Sequence, residues 1–147
     1  MPKRSGALPS QSIKELMQAG CIINAPEMNV QPASLDLTLS NEVYRMRGIP
    51  MPKRGERVAE LAKKYGDPHR QNFFERDATY LVRLRERLNL VKDVYGLVNP
   101  KSTTGRLDLH VRLVADGVQR FDTVPRGYRE DKEKGVSGEL WLYVTSR

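Results

Sequence analysis

The segment Ser34-Leu35-Asp36-Leu37-Thr38-Leu39 alternates without a break, with its leucines on one side and Ser34 and Asp36 on the other. That period of two predicts a half-buried strand, entered through Gln31-Pro32-Ala33. Before it, Ile13, Leu16 and Met17 share one face of a helix expected over Ser12 to Gly20, with Ser12-Ile13-Lys14-Glu15 as a capping box and Gly20 as the stop. A second helix is expected over Glu56 to Tyr65, where Val58, Leu61, Ala62 and Tyr65 recur at helical spacing. The stretch Met46 to Gly55 holds two prolines and reads as loop, and Gly66-Asp67-Pro68 ends the second helix. From Tyr80 the pattern turns to β. Strands are expected at Tyr80 to Leu84, Leu88 to Leu90, Val94 to Val98, Leu107 to Leu113 and Glu139 to Val144, with a charged loop at Arg129 to Gly135. Many short strands with turn signals and two helices predict a mainly-β sandwich or barrel rather than a doubly wound sheet.

Length and composition narrow the picture. At 147 residues the chain is one domain, 39% apolar and 29% charged, with no stretch near the roughly 18 apolar residues of a membrane span. A single domain spanning residues 1–147 is expected. Because the sequence stops at Thr145-Ser146-Arg147 directly after an apolar strand, an incomplete C-terminal edge, covered by further chain or a partner, is also expected. The one cysteine, Cys21, excludes an internal disulfide, fits a cytoplasmic setting, and lies among apolar neighbours as an inert buried thiol. The balance of 25 basic against 18 acidic residues gives +7, a mild pull towards polyanions such as nucleoside triphosphates. The cations are scattered and no run resembles a nucleic-acid tail, so nucleic acid is not the expected partner.

The candidate chemistry concentrates in Asn99-Pro100-Lys101-Ser102-Thr103-Thr104-Gly105-Arg106-Leu107-Asp108. A Lys, three hydroxyls, a Gly and an Arg in six residues suit phosphate oxygens: hydroxyl and backbone groups donate, Gly permits close approach, and the cations offset charge. The competing reading is a polar turn between strands, since Ser, Thr and Gly also favour turns. The run is not a P-loop. Among other polar residues, His69 is expected in a surface loop, His110 outward on its strand, and Trp141 in the core.

Three segments together resemble the dCTP deaminase family of the dUTPase-like all-β superfamily, most closely the first repeat of its long, two-repeat bacterial form. They are Gln31 to Leu39, Tyr80-Leu81-Val82 through Gly96 to Asp108, and Asp116-Gly117-Val118-Gln119-Arg120-Phe121-Asp122. The resemblance implies a distorted jelly-roll or β-barrel with an N-terminal helix and one inserted helix. It implies hydrolytic deamination of dCTP to dUTP in pyrimidine deoxynucleotide metabolism, in a homotrimer or pseudo-trimer with sites at subunit interfaces. By the same resemblance Lys101, Ser102 and Thr103 would hold the triphosphate and Ser102 would help position the attacking water. Arg106 would reach phosphate or the active-site carboxylate, and Asp122 would lie by the sugar. Magnesium would arrive with the triphosphate, as hard cations do.

One cysteine and two histidines exclude a zinc deaminase site of the H-x-E…P-C-x-x-C kind, so the expected water activation is metal-free and needs a carboxylate. In the family that Glu stands five residues after a Gly. Counting from Gly138 gives Tyr143, and a phenol with a pKa of about 10 is a poor base at neutral pH. Glu139, on the same strand but about 13 Å away along it, is the substitute candidate. A catalytically inactive nucleotide-binding or scaffolding repeat, or a dUTP diphosphatase-like activity, are the alternatives.

Overall fold

The computed structural model describes residues 6–99 and 109–147. Helix α1 covers Ser10–Gln18, and short strand β1 covers Ile22–Ile23. Strand β2 is Leu39–Met46, helix α2 Val58–Tyr65, and β3 Gly66–Pro68. The remaining strands are β4 Thr79–Leu88, β5 Gly96–Leu97, β6 Leu109–Ala115, β7 Thr123–Val124 and β8 Glu139–Ser146. The main sheet runs β3-β2-β4-β8-β6, with β1 pairing the end of β4, while β5 and β7 form a separate two-stranded sheet. Every pairing is antiparallel.

Apart from Glu86, the long central strands are apolar where they are buried, with Tyr80, Val82, Val114, Trp141, Tyr143 and Val144 set among leucines, as a two-faced sheet requires. On one face Leu81, Val114, Trp141, Tyr143 and Met46 meet Val58 and Ala62 of α2, with Tyr44 and Phe121 at the border. The opposite face carries two clusters. Leu84, Leu113, Ala115 and Leu140 pack under Leu90, Val124 and Tyr128 from the small sheet and its loops, and Tyr80, Val82 and Val144 pack beside Ala78 and Phe74. Alternation along β8 separates these sets: Trp141 and Tyr143 face α2, while Leu140, Leu142 and Val144 face away. Burying Val58 and Leu61 of α2 contributes about 1.5–3 kcal/mol each, far more than the propensity of an eight-residue helix supplies.

Both expected helices are present with shifted ends. The first begins at Ser10 after Pro9, whose carbonyl accepts the Ile13 N–H, and the capping box does not form. Gly66-Asp67-Pro68 does end α2, yet it continues as an edge strand beside β2. The alternation of residues 34–39 is not a continuous strand. Only Leu35 makes an isolated bridge, to Val30, before the ladder begins at Leu39. Thr38 explains the delay: its N–H and hydroxyl go to the carboxylate of Glu86, 2.7 and 2.6 Å away, instead of to a ladder partner. Glu86 is fully buried, so this pairing satisfies the polar group that the sheet encloses. The segments around Leu84 and Leu88 fuse into one strand, β4, whose register slips between Arg83 and Arg87. The expected strand at Val94 to Val98 shortens to Gly96–Leu97.

Buried Asp116 joins α2 to the sheet. Its Oδ1 accepts the Val58 N–H at the first residue of α2, at 2.8 Å, and its Oδ2 accepts the N–H and hydroxyl of Ser137, at 2.8 and 2.5 Å. Its own N–H donates to the Tyr128 hydroxyl, which donates to the Glu139 carbonyl. Asp116→Ala would strand three buried donors, and the expected loss is about 3 kcal/mol or more, with Asp116→Asn milder because its amide oxygen still accepts. Urea denaturation of the two variants checks the order.

Candidate functional site

Lys101, Ser102, Thr103 and Arg106 lie outside the described residues. What the structure describes is the ground on either side of them: β5, β6, the hairpin after β6, and β8.

Gly138 opens β8 in the left-handed region at φ +83°, and a Cβ there would stand 2.6 Å from the Leu88 carbonyl oxygen. Only glycine fits that approach. It fixes the register from which position 143 is counted, since Leu88 N–H bonds the Gly138 carbonyl. Tyr143 then lies opposite Leu81 on one side and Arg112 on the other. Its ring meets Phe121 edge-on, with centroids 6.2 Å apart, and Arg112 stacks over Phe121 at 5.0 Å. The Tyr143 hydroxyl donates to the Pro50 carbonyl at 2.5 Å.

The Pro50 contact closes the face. Tyr143 is 1% exposed, under the loop that runs from β2 to α2. Burial raises its pKa above the ordinary 10.0 of a phenol. Such a group neither accepts a proton at neutral pH nor reaches a bound molecule without moving Pro50. Position 143 is therefore a packing residue with a satisfied hydroxyl.

Asp122 is held in the left-handed region at φ +60°, an uncommon conformation outside glycine that Asp tolerates better than most residues. Its Oδ1 accepts the Leu113 N–H at 2.8 Å and its Oδ2 pairs with Arg112 Nε at 2.7 Å. Both main-chain groups are also used: its N–H goes to the Leu113 carbonyl, and its carbonyl accepts the Val98 N–H. Asp122 is thus the clasp that folds the hairpin back on β6. A ligand hydroxyl would have to share a carboxylate already bonded twice.

Glu139 is half-buried at the start of β8, in register with Arg87. Its main chain belongs to the Asp116 network, accepting from Tyr128 and donating to Ser137 Oγ. Its charge, with burial and the nearby Asp116 acting more strongly, helps raise the Tyr128 pKa. Glu139 and Asp122 belong to different groupings, and no hydrogen bond or ion pair joins them among the described residues. Sequence reading gave Asp116 and Pro50 no structural role, because their partners are remote: Asp116 bonds residues 58 and 21 positions away, and Tyr143 reaches back 93 positions to Pro50.

His110 is exposed, as expected, and Trp141 is fully buried. Cys21 is buried. His69 is not a free surface residue: it is half-buried, stacked near Tyr80 at 4.7 Å, with Nε2 at 2.8 Å from the Phe73 carbonyl. Among the described residues, no helix is long and apolar enough to cross a membrane.

The mainly-β antiparallel fold matches a dUTPase-like fold. It superposes on a solved 2'-deoxycytidine 5'-triphosphate deaminase from Agrobacterium tumefaciens with a TM-score of 0.85 and 34% sequence identity. The match covers 99% of this chain and 43% of that one, so the chain spans less than half the length of its solved relative. The family model for the 2'-deoxycytidine 5'-triphosphate deaminase N-terminal domain matches residues 4–147, and the chain belongs to that family. No curated protein matches it.

Tyr143→Phe removes one hydrogen bond and leaves the ring in place, so the expected loss is about 1 kcal/mol. Tyr143 and Tyr128 both have raised pKa values in the folded chain, so the native state holds protons that the unfolded state gives up above about pH 10. Their contribution is complete below that pH and declines as pH rises beyond it. Denaturation midpoints measured from pH 8 to 11.5 should fall above about pH 10, less steeply in Tyr143→Phe.

Proposed function

We propose that this chain serves a dCTP deaminase as its N-terminal domain, and that the carboxylate for proton transfer at C4 of cytosine comes from outside it. The observation that carries this reading is the capped, buried phenol of Tyr143 where the family's glutamate is counted. The family membership and the solved deaminase, of which this chain matches 43%, support the reaction class. Within that reading Lys101, Ser102, Thr103 and Arg106 hold the triphosphate, and magnesium comes with it as part of the substrate. Ser102 orients the water, Arg106 steadies charge at the phosphates or the incoming carboxylate, and Asp122 supports the sugar side through the Arg112 clasp. Glu139 is the one carboxylate of β8, but its main chain is part of the Asp116 network, and it acts in this reading as a structural residue. The family resemblance supports a trimer or pseudo-trimer, in which a catalytic carboxylate from another domain or copy reaches this surface. The setting is the cytoplasm.

The test separates holding nucleotide from converting it. The 147-residue chain with dCTP and magnesium should show a raised melting temperature and no ammonia release. In the complete protein Tyr143→Phe should leave turnover within about twofold, because the hydroxyl performs no proton transfer. Ammonia release by the chain alone, abolished by Ser102→Ala, would overturn the proposal. So would loss of turnover by two or more orders of magnitude in Tyr143→Phe.

A further inference from the structure

A cleft lined by neither Tyr143 nor Asp122 opens where three loops converge: the loop before α2, the turn after β6, and the segment leading to β8. Its volume is about 550 Å³, within the range of small-molecule sites. Arg54, Arg129 and Lys134 line it from those loops. Among the described residues none of the three makes an ion pair, while Arg126 beside them is committed to the Tyr95 ring and the Asp93 carbonyl. The carboxylates in the lining are more heavily engaged. Asp116 accepts three hydrogen bonds, and Asp131 accepts the N–H groups of Glu133 and Lys134. With Glu133 the lining holds three carboxylates against the four cations Arg54, Arg126, Arg129 and Lys134, a net charge of +1. The balance favours an anion.

The cations are presented on fixed backbone. Gly135 is left-handed at φ +69°, and a Cβ there would stand 2.6 Å from the Gly55 carbonyl oxygen, so the loops carrying Arg54 and Lys134 touch at a point only glycine allows. Gly117 N–H bonds the Glu56 carbonyl at 2.9 Å, and Asp131 and Val136 exchange main-chain hydrogen bonds across the turn. The loop positions are therefore set before any ligand arrives, which lowers the ordering cost of binding. Val118, Pro125 and Val136 add an apolar wall beside the cations.

We propose that this cleft binds a nucleotide, with its phosphates on Arg54, Arg129 and Lys134 and its base or sugar on the Val118–Pro125–Val136 wall. Arg54 from the loop before α2, with Arg129 and Lys134 from the segment leading to β8, suits a chain of phosphate oxygens, and the wall accommodates the organic part. The site does not depend on the deaminase reading and uses none of Lys101, Ser102, Thr103, Arg106, Asp122 or Glu139.

The test is amide-resolved NMR of the chain titrated with ATP and, separately, with inorganic tripolyphosphate at low salt. ATP is expected to shift the Gly55, Gly117, Gly135, Val118 and Val136 amides and to bind about fivefold more tightly than tripolyphosphate. The double variant Arg129→Ala, Lys134→Ala should weaken that response by about tenfold or more while keeping the dispersed spectrum of the folded chain. Arg54→Ala, on a different loop, should weaken it as well. Absence of shifts in these amides up to about 10 mM ATP would overturn the proposal. An unchanged response in both variants would overturn it too. Equal affinity for tripolyphosphate and ATP would remove the organic part of the assignment and so overturn the nucleotide site.

Discussion

The Asp116 carboxylate is the point on which the arrangement turns. Four segments meet at it: the end of β6, the first residue of α2, Ser137 ahead of β8, and, through Tyr128, the start of β8 itself. A buried charge is tolerated because three donors surround it, and breaking the set leaves the donors as costly as the charge. This contact anchors α2 over the sheet, and α2 with its leading loop covers Tyr143. The closed face above position 143 and the open cleft around Arg54 thus follow from the same anchor, seen from its two sides.

The architecture was largely written in the pattern of apolar residues. Leu81, Val114, Trp141 and Tyr143 lie in the unbroken apolar runs that a sheet buried on both faces requires, and both helices keep their helical spacing. It misled at residues 34–38, where Thr38 bonds a buried Glu86 and the ladder waits until Leu39. A period-two pattern reports which side a residue faces, and it is silent about where its amide finds a partner. The length of β4 was hidden for a related reason, since the register slip between Arg83 and Arg87 interrupts the pattern while the strand continues.

The candidate site was less legible. Counting from Gly138 located position 143, and the glycine's approach to the Leu88 carbonyl anchors the start of β8. That the phenol would be roofed by Pro50, and that Arg112 would occupy the Asp122 carboxylate, depended on contacts with no local signature. A proline-containing loop before a helix reads as a connector; here it is also a lid fixed by a backbone carbonyl. The left-handed Asp122 is a similar case, because hairpin turns admit Asp for several reasons and only the bonds to Leu113 decide among them.

Trp141, the chain's one tryptophan, stands fully buried between Tyr44 and the α2 residues Val58 and Ala62. Its indole makes the α2 interface optically addressable without a label. While the helix is docked, the fluorophore sits in a dry apolar shell and emits towards the blue; water entering beneath α2 moves the emission red. Intrinsic fluorescence of this protein therefore reads one joint rather than an average over the molecule.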